Sequence, residues 1–142
     1  MRTKNLIQSL VGTPGIVLKD CYEDTETNAI VLVAQPIKKE RGRCSICHRK
    51  AKPYDSGRGV RRWRGMDAGG KKVFIEGEAP RVCCKKHGVV VASVPWARRD
   101  SRFCKCFEEQ PSWLATHTSR TVISALMRVE WHTVGDICKR VY

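Results

Sequence analysis

Four side chains of the kind that bind metal ions occur in this sequence as two close pairs, Cys44-x2-Cys47 and Cys84-x2-His87. A Cys-x2-Cys turn brings two thiolates together, and a second pair from a distant loop completes the tetrahedron that Zn²⁺ prefers. The 36 residues between the pairs exceed the usual spacer, so we expect strands between the two turns. The pattern predicts a zinc ribbon. The alternative is a set of buried free thiols, because Cys is often a small core residue.

The second pair leaves a choice between two neighbouring cysteines. Cys84 lies two residues from His87, as in the first pair, whereas Cys83 would need a spacing of three. We therefore predict Cys44, Cys47, Cys84 and His87 as the metal ligands. His48 directly follows Cys47, too close for good ligand geometry, and is predicted to lie on the surface.

The other cysteines bear on the redox compartment. Eight cysteines are compatible with a secreted disulfide framework, but the N-terminus has no apolar core followed by a small-residue cleavage site. We expect a soluble protein in the reducing bacterial cytoplasm, and no apolar run approaches the roughly 18 residues needed to span a membrane.

Cys21 is predicted to be a strand residue. Cys104 and Cys106 have no partner pair nearby and are predicted to be ordinary thiols, although a second metal is the alternative.

Positive charge is concentrated in the middle of the chain. The net charge is +13, and residues 38–64 carry eleven Lys or Arg against two acids, while residues 108–142 carry four of each. A basic surface of this kind suits a polyanion, and DNA is the commonest one. A merely well-hydrated surface is the alternative.

The hydrophobic pattern divides the chain into β-rich and helical parts. Residues 4–11 are compatible with a short helix, and the runs 16–22 and 29–34 read as a hairpin. A second hairpin is predicted around Gly69-Gly70, and residues 81–84 form the strand that delivers the second metal pair. We predict an α+β chain with an N-terminal hairpin (1–37), a zinc ribbon (38–95) and a three-helix helix-turn-helix (96–142).

In the last segment the hydrophobic period changes from 2 to 3.6. Pro111 lies inside the first predicted helix and either kinks or breaks it. Thr118-Ser119 can cap the second helix, and Glu130 occupies the cap position of the third. Arg128 falls where a helix-turn-helix usually has Gly, a left-handed position that disfavours Arg by roughly 1 kcal/mol.

Several strings in this order resemble a known family. They are Arg43-Cys-Ser-Ile-Cys47, Arg62-Trp-Arg-Gly-Met-Asp67, Ala79-Pro-Arg-Val-Cys-Cys-Lys-Lys-His-Gly88, Val94-Pro-Trp-Ala-Arg98, Ser101-Arg-Phe103 and Trp113-Leu-Ala-Thr-His-Thr-Ser119. Together they resemble the N-terminal part of bacterial insertion-sequence transposases of the ISL-three type, over essentially residues 15–142. In that family a zinc-binding region and a helix-turn-helix precede an RNase-H-like catalytic domain with an acidic triad.

The resemblance implies the same four metal ligands and recognition of the element's terminal inverted repeats in double-stranded DNA. It also implies that Cys104 and Cys106 replace ordinary residues rather than adding a site. The predicted DNA contacts are basic residues of the ribbon and of the connector, which is residues 96–102, together with polar and charged residues of the last two helices: Arg58, Arg61, Arg62, Arg64, Arg98, Arg99, Arg102, Arg120, His132, Thr133, Lys139 and Arg140.

No catalytic residues are predicted. The 14 acids show no arrangement for a two-metal nuclease, and the chain ends in helical register without a capping Gly. We therefore expect a truncated, non-catalytic DNA-binding region with a structural zinc. The sequence is also compatible with a homodimer. One alternative is a free-standing zinc-dependent regulator or protein-interaction module. Another is a catalytic zinc enzyme, which four protein ligands disfavour because structural zinc sites are closed.

Overall fold

The computed structural model describes residues 3–142, so the first two residues of the predicted N-terminal segment lie outside it. The described residues form seven strands, which are β1 Ile16–Asp24, β2 Ala29–Pro36, β3 Lys52–Asp55, β4 Val60–Arg64, β5 Lys72–Glu78, β6 Arg81–Cys84 and β7 Gly88–Val91. They also form four α-helices, which are α1 Thr3–Val11, α2 Lys105–Leu114, α3 Arg120–Met127 and α4 Trp131–Val141. The predicted α+β class is confirmed.

The larger sheet has the strand order β1-β2-β5-β4. Both predicted hairpins are present, because β1 pairs antiparallel with β2 and β4 pairs antiparallel with β5. The two hairpins are joined by a parallel pairing between β2 and β5, with Ala29 opposite Lys72 and Val33 opposite Glu76. This sheet therefore unites chain segments on both sides of residue 37.

The smaller sheet has the order β3-β6-β7 and carries the second metal-type pair at the end of β6. The strand β3 was not predicted. All four of its residues are exposed and one is Pro53, so it shows neither the apolar alternation nor the composition of a typical strand. The strand forms because its backbone pairs with that of β6, a distant segment that the local sequence of β3 does not indicate.

Two apolar cores lie next to each other in the fold. Trp63 and Trp96 are almost fully buried and pack edge to face, with ring centroids 5.4 Å apart, in the core beneath the larger sheet. A second core joins the last three helices through Phe103, Phe107, Ile123, Met127, Val134 and Ile137. The ordered chain therefore buries apolar surface in the sheet region and in the helical region separately.

The helical segment contains the three predicted helices, and the N-terminal helix makes four in the described residues rather than three. Pro111 lies inside α2. No helix in the part of the chain that the structure describes is long and apolar enough to cross a membrane.

Candidate metal centre and nucleic-acid interface

The structure brings the two metal-type pairs together. The ligand atoms of Cys44, Cys47, Cys84 and His87 all lie within 4.8 Å of one another, although Cys47 and Cys84 are 37 positions apart in the sequence. Within residues 3–142 this is the one cluster of three or more His, Cys, Asp or Glu side chains with metal-binding geometry. Cys83 is not part of the cluster and is exposed, as expected if Cys84 is the ligand.

Local backbone structure builds each half of the cluster. In the first turn, His48 N–H donates to the Cys44 carbonyl at 2.9 Å, and Ile46 N–H donates to the Cys44 sulfur at 3.4 Å. In the second, Cys84 pairs with Gly88 across the β6–β7 hairpin. Gly88 has φ +72, a left-handed conformation that suits Gly because it has no Cβ. The Gly after the second pair thus has a structural reason.

The spacing of the donor atoms fits zinc. A tetrahedron with Zn–S bonds of about 2.3 Å has sulfur–sulfur edges of about 3.8 Å. The Cys47 and Cys84 sulfurs are 3.7 Å apart, and His87 Nδ1 lies 3.6 Å from the Cys44 sulfur and 3.7 Å from that of Cys84. Three sulfurs and one imidazole nitrogen form a closed donor set, typical of structural zinc rather than of a catalytic ion with an open position.

The Cys84 thiol is poised to ionise. Hydrogen bonds from the backbone N–H groups of His87 and Lys86 lower the pKa of Cys84 to about 6. Because a thiolate is the form that binds metal, this local turn favours the ligand state before any ion is present.

The helix-turn-helix is formed by α3 and α4. Ser119 is the N-cap of α3, and its hydroxyl accepts a hydrogen bond from Val122 N–H, so the predicted cap is confirmed. Arg128 follows α3 with φ 55 and ψ 50, the left-handed conformation expected at the Gly position of such a turn. Glu130 is the N-cap of α4, as predicted, although its side chain makes no capping hydrogen bond.

A buried arginine from the sheet holds this turn. Arg64, at the end of β4, donates to the Met127 and Arg128 carbonyls, each at 2.8 Å, and its guanidinium lies 4.7 Å from the centre of the Phe107 ring. Asp67 pairs with both Arg64 and Arg128. These contacts satisfy carbonyl groups at the C-terminus of α3 that the helix leaves without partners. They also fix the zinc-bearing part of the chain to the helix-turn-helix.

A buried carboxylate fixes the other side of the helical segment. Glu108 in α2 is 0% exposed, and its two oxygens accept from Arg98 at 3.3 Å and Arg140 at 2.8 Å. Neither the buried acid nor the Arg64 contact was predicted. The partners of Arg64 lie 63 and 64 residues away, so no local pattern could reveal them.

The predicted DNA contacts occupy different environments. Six are exposed: Arg58, Arg99, Arg102, Arg120, His132 and Lys139. Four are partly buried: Arg61, Arg62, Arg98 and Arg140.

Three of the four partly buried arginines form ion pairs with carboxylates. Arg62 pairs with Asp24 at 3.0 Å, while Arg98 and Arg140 pair with Glu108.

Arg64 and Thr133 are buried, with 7% and 8% of their surface exposed. The structure therefore assigns Arg64 to the turn of the helix-turn-helix rather than to an outer surface, and it leaves Thr133 little surface for a ligand.

Cys104 and Cys106 lie at the start of α2, outside the metal-type cluster. Cys104 is buried in the core, and its thiol donates to the Trp63 carbonyl at 3.8 Å. The interaction between the two thiols lowers the pKa of Cys106 and raises that of Cys104. Cys21 lies in β1, as predicted.

A closed Cys3His centre on two strand turns, joined to a helix-turn-helix, defines a zinc-ribbon protein with a helical recognition module. A sequence model described as the zinc-finger of transposase IS204/IS1001/IS1096/IS1165 matches residues 40–87. A second, the helix-turn-helix domain of transposase family ISL3, matches residues 92–142. The chain therefore carries the zinc-finger and helix-turn-helix domains of ISL3-family transposases, and structural zinc is its cofactor.

Two curated relatives extend this result. The transposases for insertion sequence element IS1557 of Mycobacterium tuberculosis strains CDC 1551 / Oshkosh and ATCC 25618 / H37Rv are each 39% identical to the chain over 147 residues. The match covers 100% of this chain and 33% of each relative, so the chain spans about a third of the length of the curated relatives it matches. No solved structure matches the chain.

Proposed function

We propose that this chain is the DNA-binding region of a transposase and that it recognises the terminal inverted repeats of an insertion sequence. The observation that supports this most directly is the helix-turn-helix, whose third helix α4 begins with exposed residues beside a strongly basic connector. In such units the N-terminal residues of the recognition helix meet base edges in the major groove, while surrounding cations contact phosphates.

The zinc ribbon and the helix-turn-helix have separate roles. Residues 38–95 form the zinc ribbon, with Cys44, Cys47, Cys84 and His87 as ligands, and residues 96–142 form the helix-turn-helix. The closed zinc site stabilises the fold, because structural metal binding is coupled to folding. Sequence reading is assigned to α4.

Binding to a duplex that carries the element's terminal repeat should be tighter than to a scrambled duplex, and both affinities should fall steeply with salt. Each neutralised phosphate contributes about 0.9 to the slope of log K against log salt. Equilibrium titrations at several salt concentrations measure both quantities. Equal affinity for the two duplexes would contradict repeat recognition, and salt-insensitive binding would favour the protein-interaction alternative.

His132 is proposed to read base edges, because it is exposed in the first turn of α4, where it packs edge to face on Trp131. Replacing His132 by Ala should reduce discrimination between terminal repeat and random DNA by about 1–3 kcal/mol for each lost base contact, with little change in non-specific affinity. Lys139→Ala, two turns further on, is the matched control and should weaken both affinities in parallel. A parallel loss with His132→Ala would mean that α4 does not read sequence.

This chain is also proposed to lack strand-cleavage activity by itself. A two-metal nuclease needs carboxylates that converge on Mg²⁺, and within residues 3–142 the single metal-type cluster is the Cys3His group. Incubation of purified chain with supercoiled plasmid and Mg²⁺ or Mn²⁺ should yield no nicked product. Nicking that copurifies with the chain through repeated chromatography would overturn this expectation.

A further inference from the structure

One groove is lined by residues of both the zinc ribbon and the connector that precedes α2. It has a volume of about 1390 Å³. Its lining includes Ser45 and His48 of the first metal turn, Arg58 and Arg61 from the start of β4 and the loop before it, and Lys105 at the start of α2. The metal turn therefore forms part of a groove wall, in addition to any role in holding the ribbon together.

The groove is strongly cationic. Seven Lys or Arg residues and two acids, Glu40 and Asp100, line it. Three of the cations already face carboxylates, since Arg81 pairs with Asp55, Arg98 with Glu108 and Arg99 with Asp100. The remaining four have no carboxylate within 4.0 Å in the part of the chain that the structure describes; they are Lys39, Arg58, Arg61 and Lys105.

The groove continues toward the recognition helix. A smaller cavity of about 250 Å³ shares Arg61, Asp100 and Ser101 with it. That cavity is also lined by Thr133 and Asp136, in the first two turns of α4. The unpaired cations and the start of α4 thus lie along one continuous surface, although they come from distant parts of the sequence.

We propose that this groove holds the phosphodiester backbone of the DNA strand that flanks the base pairs facing α4. The inference rests on the proposed function and specifies where the duplex lies. A helix in the major groove has a phosphate backbone on each side, and a cationic channel beginning beside Thr133 and Asp136 is positioned to receive one of them. Arg58, Arg61 and Lys105 are the principal phosphate contacts. Arg62, Arg64 and Arg140, which pair elsewhere, are not.

A comparison of two triple variants tests the groove. The first, R58Q/R61Q/K105Q, removes three unpaired groove cations, and the control, K19Q/K52Q/K72Q, removes three cations that line neither cavity. Both lower the net charge equally. With a random-sequence duplex, the groove variant should lower the salt slope by about 2.7, that is about 0.9 for each phosphate contact, and the control should leave it unchanged.

A measurement on the unmodified protein makes the result independent of variant folding. Acetylation of lysines, followed by mass spectrometry, compares zinc-loaded protein with and without the duplex. Lys39 and Lys105 should lose most of their reactivity when DNA is bound, whereas Lys19, Lys52 and Lys72 should keep theirs. Polyglutamate of matched charge should not protect the groove lysines.

The outcomes distinguish a failure of the groove proposal from a failure of the proposed function. If the unmodified chain binds no duplex, the proposed function and the groove both fail. If it binds but the two triple variants lower the slope equally, or the groove lysines stay reactive, the groove assignment is wrong and the function stands. Equal protection by polyglutamate would reassign the groove to an acidic protein partner.

Discussion

Replacing Cys84 by Ser is expected to abolish zinc binding and unfold the ribbon, whereas Cys83→Ser should preserve both. The Cys84 sulfur lies 3.7 Å from both the Cys47 sulfur and His87 Nδ1, while Cys83 is exposed on β6. Zinc binding by small zinc-finger peptides contributes about 10–16 kcal/mol to the folded state at neutral pH, at least comparable to a small domain's total stability. Removing one ligand therefore removes most of what holds the ribbon together.

Metal analysis of protein prepared without added zinc should give one zinc per chain for the unmodified protein and for Cys83→Ser, and much less for Cys84→Ser. Circular dichroism with and without a chelator monitors the accompanying loss of structure. Equal metal loss in both variants would contradict the assignment of Cys84, rather than Cys83, as the zinc ligand. Full zinc retention in Cys84→Ser would remove it from the ligand set.

The second large effect is expected at Arg64. Arg64→Met keeps an apolar side chain of similar length but removes the guanidinium over the Phe107 ring and leaves the Met127 and Arg128 carbonyls without their charged donor. Each hydrogen bond to a charged group contributes about 1.5–3 kcal/mol, so loss of the two bonds is expected to lower the free energy of unfolding by about 3–6 kcal/mol. Denaturant titration in the presence of zinc measures it.

Arg62→Met is the matched control, because Arg62 lies two residues earlier on the same strand. Its pairs with Asp24 and Glu76 are partly exposed, its side chain being 33% accessible, so solvent screening limits the expected loss to about 1 kcal/mol or less. A loss at Arg62 as large as that at Arg64 would mean that the carbonyl contacts do not stabilise the turn.

Much of the local structure could be predicted because its causes lie close together in the sequence. The two hairpins follow from β-branched runs joined by turn residues, and the Ser119 cap and the left-handed Arg128 follow from the helix-turn-helix pattern. The composition of the metal centre follows from the x2 spacing of each pair. These features depend on residues a few positions apart, where backbone geometry leaves few alternatives.

The DNA contacts were harder to predict, because exposure is not a local property. Arg64, Thr133 and Arg140 carry side chains suited to DNA, yet the structure buries the first two and pairs the third with Glu108. Conversely, Lys39 and Lys105 are candidates for phosphate contacts because they line the groove, which no local sequence pattern indicates. A basic residue in a sequence indicates charge, and its neighbours in space decide whether that charge is available.

Short-range spacing and periodicity encode the metal-type residues, the two predicted hairpins and the helices. The parallel pairing of β2 with β5, the position of Arg64 beneath the turn after α3, and the convergence of cations along one groove arise in the folded chain alone. These arrangements join residues many tens of positions apart. Their free energy comes from burial and hydrogen bonds between complementary surfaces, which no single segment of the chain specifies alone.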